Sequence, residues 1–202
     1  MRSEWTILID TREQKPLPFP AYLPVFDPAS SPQSPRLTTV KLNLKKSKLD
    51  TGDYCLETHP TIGIIERKAD LIELHGNLCT KDGLSRFFAE LHRLRGFRNP
   101  CLLLENSDTA PRRTVSIPGF TPTAVRDLLL INCVSRGLPL YTFNVSTSAH
   151  RLKCAEWAAS FLIMSALCSE IQNGQDPVTL PSSARPNLDS ERMRSEGPIT
   201  QE

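Results

Sequence analysis

The sequence predicts an α/β sandwich in which a mixed β-sheet, an antiparallel meander plus parallel strands, carries helices on both faces. Three observations predict it. Up to Lys68 the apolar residues come in short runs or alternate with a period of two, the repeat of strands. After Lys68 the repeat changes to helical spacing. Cys101–Leu104 (C-L-L-L) is a continuous apolar run, as a strand covered on both faces requires. The resulting order, β–β–β–β–α–α–β–α–β–α, is a strand series followed by αβα units.

Trp5–Ile9 is a buried strand that closes on Asp10. Residues 16–36 hold seven prolines, which lack an N–H and fix φ, so a loop or flexible insertion is expected there. Thr39–Leu44 alternates, with Val40, Leu42 and Leu44 on one face. Gly52–Leu56 and Ile62–Ile65 follow as strands separated by Pro60, and three strands in series suggest the meander. Residues 69–78 fit a short helix through Leu71, Leu74 and Leu78. A second helix opens with Asp82 as N-cap and stops at Gly96. Its stripe is Leu84, Phe87, Phe88, Leu91 and Leu94, with Arg86 and Arg93 on the opposite side. Thr121-Pro122 opens a third helix and Gly137 stops it. Leu138–Val145 reads as a strand, and residues 148–171 as a long apolar helix. Residues 173–202 form a Pro/Ser/Gly-rich tail expected to be disordered, which leaves 1–172 as one domain.

Of 202 residues, 39% are hydrophobic and 23% charged, which supports a core and excludes a collagen, a coiled-coil rod or a wholly disordered chain. The net charge of +2 puts any nucleic-acid surface in local clusters. The six cysteines form no C-x-x-C pair and read as reduced thiols, so an intracellular place is expected, cytoplasmic in a prokaryote and nuclear in a eukaryote. The first residues lack the apolar stretch of a secretory signal, and Trp157–Ser169 is too short and too polar to span a bilayer, so no membrane is expected. The four histidines show no paired ligand spacing.

Polar residues interrupt two of the strands. Asp53 follows Gly52 at the head of one, and Glu66 and Lys68 end the next. Alternation puts Glu66 and Lys68 on one face and Arg67 on the other. If the strands pair, Asp53 sits beside Glu66. Two carboxylates buried together repel and are desolvated, a cost that a divalent cation removes. Magnesium suits such a site, because it takes one or two carboxylates and keeps several waters. The fitting chemistry is phosphodiester hydrolysis, with the cation neutralising developing charge and acidifying a water. Lys68 would orient that water or stabilise the transition state, and Asp10 would add a carboxylate. Lys41, Lys45, Lys46 and Lys48, with Arg86 and Arg93, would hold a phosphate backbone. The spacing alone is also compatible with a solvated strand end at Glu66 and Lys68 and a turn residue at Asp53.

The longer string Asp10-Thr11-Arg12-Glu13, then Gly52-Asp53, then Glu66-Arg67-Lys68 resembles the nuclease domain of XPF-type structure-specific endonucleases, in the PD-(D/E)XK restriction-endonuclease-like superfamily. The resemblance covers roughly residues 5 to 170. It implies magnesium-dependent cleavage of DNA (with manganese as a substitute ion) at flaps, forks or branches during repair or recombination. It implies Asp53 and Glu66 as metal ligands, Lys68 as catalytic lysine, supporting roles for Asp10, Arg12, Glu13 and Arg67, and a homodimer through the last helix. The acidic residue that the family places four positions after the lysine falls on Ile72 here, between Asp70 and Glu73. Glu73 by a one-residue insertion is favoured; Asp70, or loss of the role, stays open. With neither a helix-hairpin-helix module nor a helicase in the sequence, the stand-alone form is expected. Two alternatives remain: a non-catalytic DNA-binding partner subunit, and a sequence-specific restriction-type nuclease.

Overall fold

The computed structural model describes residues 2–28, 30–31, 33–78, 80–106 and 122–173. The chain divides into two compact units, Met1–Ser169 and Glu170–Glu202. The tail expected to be disordered lies outside the described residues from 174 onward, as do Thr121 and Cys79.

Among the described residues the order is β1 (Glu4–Asp10), β2 (Tyr22–Phe26), β3 (Leu37–Ser47), β4 (Tyr54–Leu56), β5 (His59–Lys68), α1 (Leu71–Leu78), α2 (Lys81–Leu94), β6 (Asn99–Asn106), α3 (Pro122–Val134), β7 (Leu140–Asn144) and α4 (Ser148–Asn173). The strands form one mixed sheet ordered β2-β3-β1-β4-β5-β6-β7. The expected architecture is present: parallel and antiparallel pairs share one sheet, and helices cover both faces. Ile65, Cys101 and Leu103 pack with Cys154, Ala158 and Leu162 of α4. Ile64, Leu102 and Leu104 alternate with them and pack with Leu74, Phe87, Leu91 and Leu129 of α1–α3.

Two details differ from the sequence reading. The proline-rich stretch contains a strand, β2, at the sheet's edge. Ala21 and Asp27 make main-chain bonds toward β3, so alternation turns the nitrogen of Pro24 to the open edge, where a missing N–H costs no ladder bond. Leu23 and Val25 are buried, and that anchors the segment. The antiparallel part is β1–β4–β5, with β2–β3 at the edge, instead of three consecutive strands. β1 inserts between β3 and β4, parallel to the first and antiparallel to the second. Its Trp5, Ile7 and Ile9 are apolar enough to fill the sheet centre.

The other elements lie close to expectation. The N-cap of α2 is Thr80, whose Oγ1 accepts from Gly83 N–H at 3.1 Å, and Asp82 stands in the first turn. Gly137 ends the α3 segment with φ +64°, the left-handed conformation glycine tolerates. Cys55, Cys101, Cys133 and Cys154 are buried free thiols; Cys168 is exposed. The α4 helix has 26 residues and is long and apolar enough to cross a membrane by length and composition, with 56% of its most apolar window buried inside the fold.

Gly52 fixes the turn that delivers Asp53. Its φ is +76°, and a Cβ there would meet Ile64 Cγ1 at 2.5 Å. Gly52→Ala combines left-handed strain with overpacking and is expected to destabilise the fold by about 2–4 kcal/mol in denaturant unfolding. A loss below about 0.5 kcal/mol would show that this turn does not constrain the site.

Candidate active site

The parallel strands β1, β3, β5 and β6 share one direction, so their carboxyl ends lie along one rim of the sheet. Ligands of α/β sheets gather at that rim. Here β1 ends on Asp10, β5 on Glu66-Arg67-Lys68 and β6 on Glu105-Asn106, with the start of β4 between the first two. Asp53 N–H donates to the Ile65 carbonyl at 2.8 Å, and Tyr54 pairs with Ile65, so Asp53 stands opposite Glu66 on the same face. Arg67 N–H donates to Asp53 Oδ2 at 2.8 Å and fixes that carboxylate. A cavity of about 330 Å³ is lined by Arg12, Glu13, Gln14, Lys15, Asp53, Glu66, Arg67 and Glu73.

Alternation along β5 separates two charge systems. On the α4 face Arg67 donates to Glu13 at 2.9 and 3.0 Å and to Glu105 at 2.7 Å. Arg151 of α4 donates to Glu105 at 3.1 Å, and the Tyr54 hydroxyl donates to Glu13 at 3.4 Å. Two guanidiniums meet two carboxylates, so this buried cluster is balanced, as buried charge requires. On the other face Lys68 is the shared cation. Its Nζ lies 2.8 Å from Glu66 Oε1, 3.1 Å from Glu90 Oε2 and 3.9 Å from Glu73 Oε1.

That second face carries excess negative charge. Burial pushes Asp53 up to about 6, with the Glu13 charge adding to the rise. Burial and the neighbouring Asp53 hold Glu66 well above the ordinary carboxylate range. Burial alone would lower Lys68, but the charges of Glu66 and Glu90 override it and hold its pKa above the usual lysine value. Asp53 and Glu66, with Glu73 on the same cavity, supply the hard oxygen donors that magnesium takes. Among the described residues, no group of three or more His, Cys, Asp or Glu is placed so that it could hold a metal ion, which leaves the carboxylate pair of Asp53 and Glu66 as the donors to consider.

The remaining expected residues fall into place as follows. Asp10 is fully buried beside Asp53, but its oxygens are taken. Oδ1 accepts from Arg12 N at 2.6 Å and Nε at 2.8 Å, and Oδ2 from Arg12 Nη2 at 3.0 Å and Leu49 N at 2.8 Å. Burial would raise Asp10, and the Arg12 bonds outweigh it and hold it low. Arg12, also tied to the Leu49 carbonyl at 2.8 Å, is thereby held against the cavity. Asp70 accepts from Glu73 N–H at 2.8 Å at the head of α1, while Glu73 accepts from Ala69 N–H at 2.8 Å. Ile72 lies within α1. Of the two acids beside it, Glu73 lines the cavity.

The basic cluster is divided. Lys45 pairs in register with Leu8 and Lys46 with Ile9, so they occupy opposite faces. Lys45 is bound to Glu57 at 2.6 Å and Lys41 to Glu4 at 3.3 Å. Lys46 and Lys48 are exposed, and Lys48 adjoins the Leu49 main chain that holds Asp10 and Arg12. Arg86 and Arg93 lie one turn to either side of Glu90 on α2. Arg93 Nε lies 3.3 Å from Thr51 Oγ1.

Sequence reasoning missed Glu90 and Glu105. A signal existed for Glu90, midway between Arg86 and Arg93 and three residues after Phe87. Glu105 continues the apolar run of β6 as its first charged residue, the same sign that marked Glu66.

No family model and no curated protein matches the chain. Among solved structures it is similar to XPF from Aeropyrum pernix, with 16% identity over 93% of this chain and 70% of that chain, at a TM-score of 0.47. A likeness of that degree says nothing of activity or substrate, and the chemistry stands on the residues themselves.

The raised Asp53 pKa has a definite consequence for stability. The folded state holds this proton more tightly than the unfolded chain, whose Asp53 titrates near 3.8. Its stabilising contribution is therefore full below about 4 and is lost as pH rises to about 6. Asp53→Asn is expected to escape that loss and to exceed wild type by about 1–3 kcal/mol at pH 7, measured by urea unfolding across pH without divalent cations. A variant less stable than wild type at pH 7 would contradict the charge conflict.

Proposed function

We propose that the chain is a magnesium-dependent DNA endonuclease that hydrolyses phosphodiester bonds, with branched, flap or fork DNA in repair or recombination as its substrates. One observation carries this reading: Asp53 and Glu66 stand opposite each other at the end of paired strands and share a cavity with Glu73 and Arg12, and Lys68 Nζ lies 2.8 Å from Glu66 Oε1. Asp53 and Glu66 would hold the cation, with Glu73 beside them. Bound there, magnesium supplies charge neutralisation and a more acidic water. The chain's own groups do the rest. Arg67 N–H keeps Asp53 turned to its place. Lys68 presents a buried ammonium where the phosphate's negative charge grows. Arg12, fixed on two sides, offers a guanidinium to phosphate oxygens. Lys46, Lys48, Arg86 and Arg93 supply exposed charge for the DNA backbone.

A homodimer through α4 belongs to the same reading. The Tyr141 ring on the edge strand β7 lies 4.4 Å from the Trp157 ring of α4, tilted by 46°, and Tyr141 remains 39% exposed, leaving an aromatic edge for a second copy.

Purified wild type is expected to cut labelled flap or fork DNA only with magnesium. Asp53→Asn and Glu66→Gln should lose at least about a hundredfold in rate while still binding DNA. Undiminished cutting by either variant would refute the assignment. Wild type that binds DNA and never cuts it would be a partner subunit, and cutting of linear duplex at one fixed sequence would make it restriction-type.

A further inference from the structure

Lys68 has two close carboxylate partners, and they come from different elements. Glu66 comes from its own strand, two residues away, and Glu90 comes from α2. Helix α2 is an independent anchor: Thr80 caps it, and Phe87, Leu91 and Leu94 are buried in the core. The Phe87 ring also lies beneath the ammonium, 5.6 Å from its centroid. On the reading above, Glu66 turns its charge toward a divalent cation, and that cation repels the neighbouring ammonium. A lysine held by Glu66 alone would then be stranded in a buried site. Glu73 is a weak substitute, because it lies 3.9 Å away, is largely exposed and is tied to Ala69 N–H.

We propose that Glu90 is the positioning residue that keeps Lys68 in place when Glu66 is engaged by the cation. Lys68 exchanges partners, from Glu66 and Glu90 together to Glu90 alone, without leaving its pocket. The inference rests on the cation site proposed above and adds to it a residue that never touches the cation.

Reductive methylation of Lys68, read by peptide mass spectrometry with and without magnesium chloride, tests this. The comparison is between wild type, Glu90→Gln and Glu90→Asp, the last keeping the charge but not the reach. Calorimetric titration of wild type with magnesium chloride and melting curves without metal accompany it. Wild-type Lys68 should stay protected in both conditions. In Glu90→Gln it should stay protected without metal, where Glu66 still holds it, and react roughly tenfold faster with magnesium. Glu90→Asp should fall between the two. At saturating magnesium, Glu90→Gln should lower kcat for DNA cleavage and leave KM unchanged. Protection equal to wild type in both conditions would overturn the proposal. Labelling that is fast with or without metal would also overturn it, by making Glu90 a merely structural support. Wild type that takes up no magnesium would overturn the cation site and this inference together, whereas the first two outcomes leave the cation site standing.

Discussion

The structure turns on the alternation of three consecutive side chains, Glu66, Arg67 and Lys68, at the end of β5. A strand sends neighbours to opposite faces, so one short charged run feeds two buried clusters that meet at the cavity lined by Glu13, Arg67, Asp53 and Glu66. On the α4 side Arg67 is matched to Glu13 and Glu105, with Arg151 completing the balance. On the other side one ammonium is shared by Glu66, Glu90 and the more distant Glu73, and Asp53 crowds in from β4. Buried charge persists only where it is compensated. The first cluster is compensated from within the chain. The second carries more carboxylates than its cations match, and the proposed divalent ion would offset that excess.

The rest of the fold serves that asymmetry. Gly52 brings Asp53 over β5, the main chain of Arg67 orients it, and the buried Arg67 cluster fastens β5, β6 and α4 together beneath the site. Arg67 therefore works in two directions: its N–H serves Asp53, and its guanidinium serves the opposite face. Asp10 plays a comparable part for Arg12. Its oxygens are consumed in holding that side chain against the cavity, so its contribution passes through a neighbour.

Much of this was legible in the sequence, because the signals were local. Alternation assigned Glu66 and Lys68 to one face, a glycine before Asp53 marked a turn, and the apolar run at Cys101–Leu104 announced a doubly covered strand. What escaped was non-local. The insertion of β1 between β3 and β4 depends on which apolar strand best fills the sheet centre, and no neighbouring residues encode that. The strand at Tyr22–Phe26 is hidden because seven prolines in residues 16–36 point to a loop, and only the sheet's edge, which the local sequence does not announce, tolerates Pro24. Glu90 looked like one more polar residue on an amphipathic helix. Its meaning comes from docking α2 over Lys68, a contact across 22 positions of sequence. The lysine run at 45–46 read as one patch, whereas strand geometry divides it between faces.

The central claim is that Asp53 and Glu66 form a buried carboxyl pair whose charged forms repel each other, a cost that a divalent cation relieves. Calorimetric titration with magnesium near pH 6, in two buffers of different ionisation enthalpy, tests it most directly. Asp53 titrates at about 6, so binding should release protons from the protein, and fewer from Asp53→Asn. Magnesium uptake that releases no protons, or no uptake at all, would contradict the account.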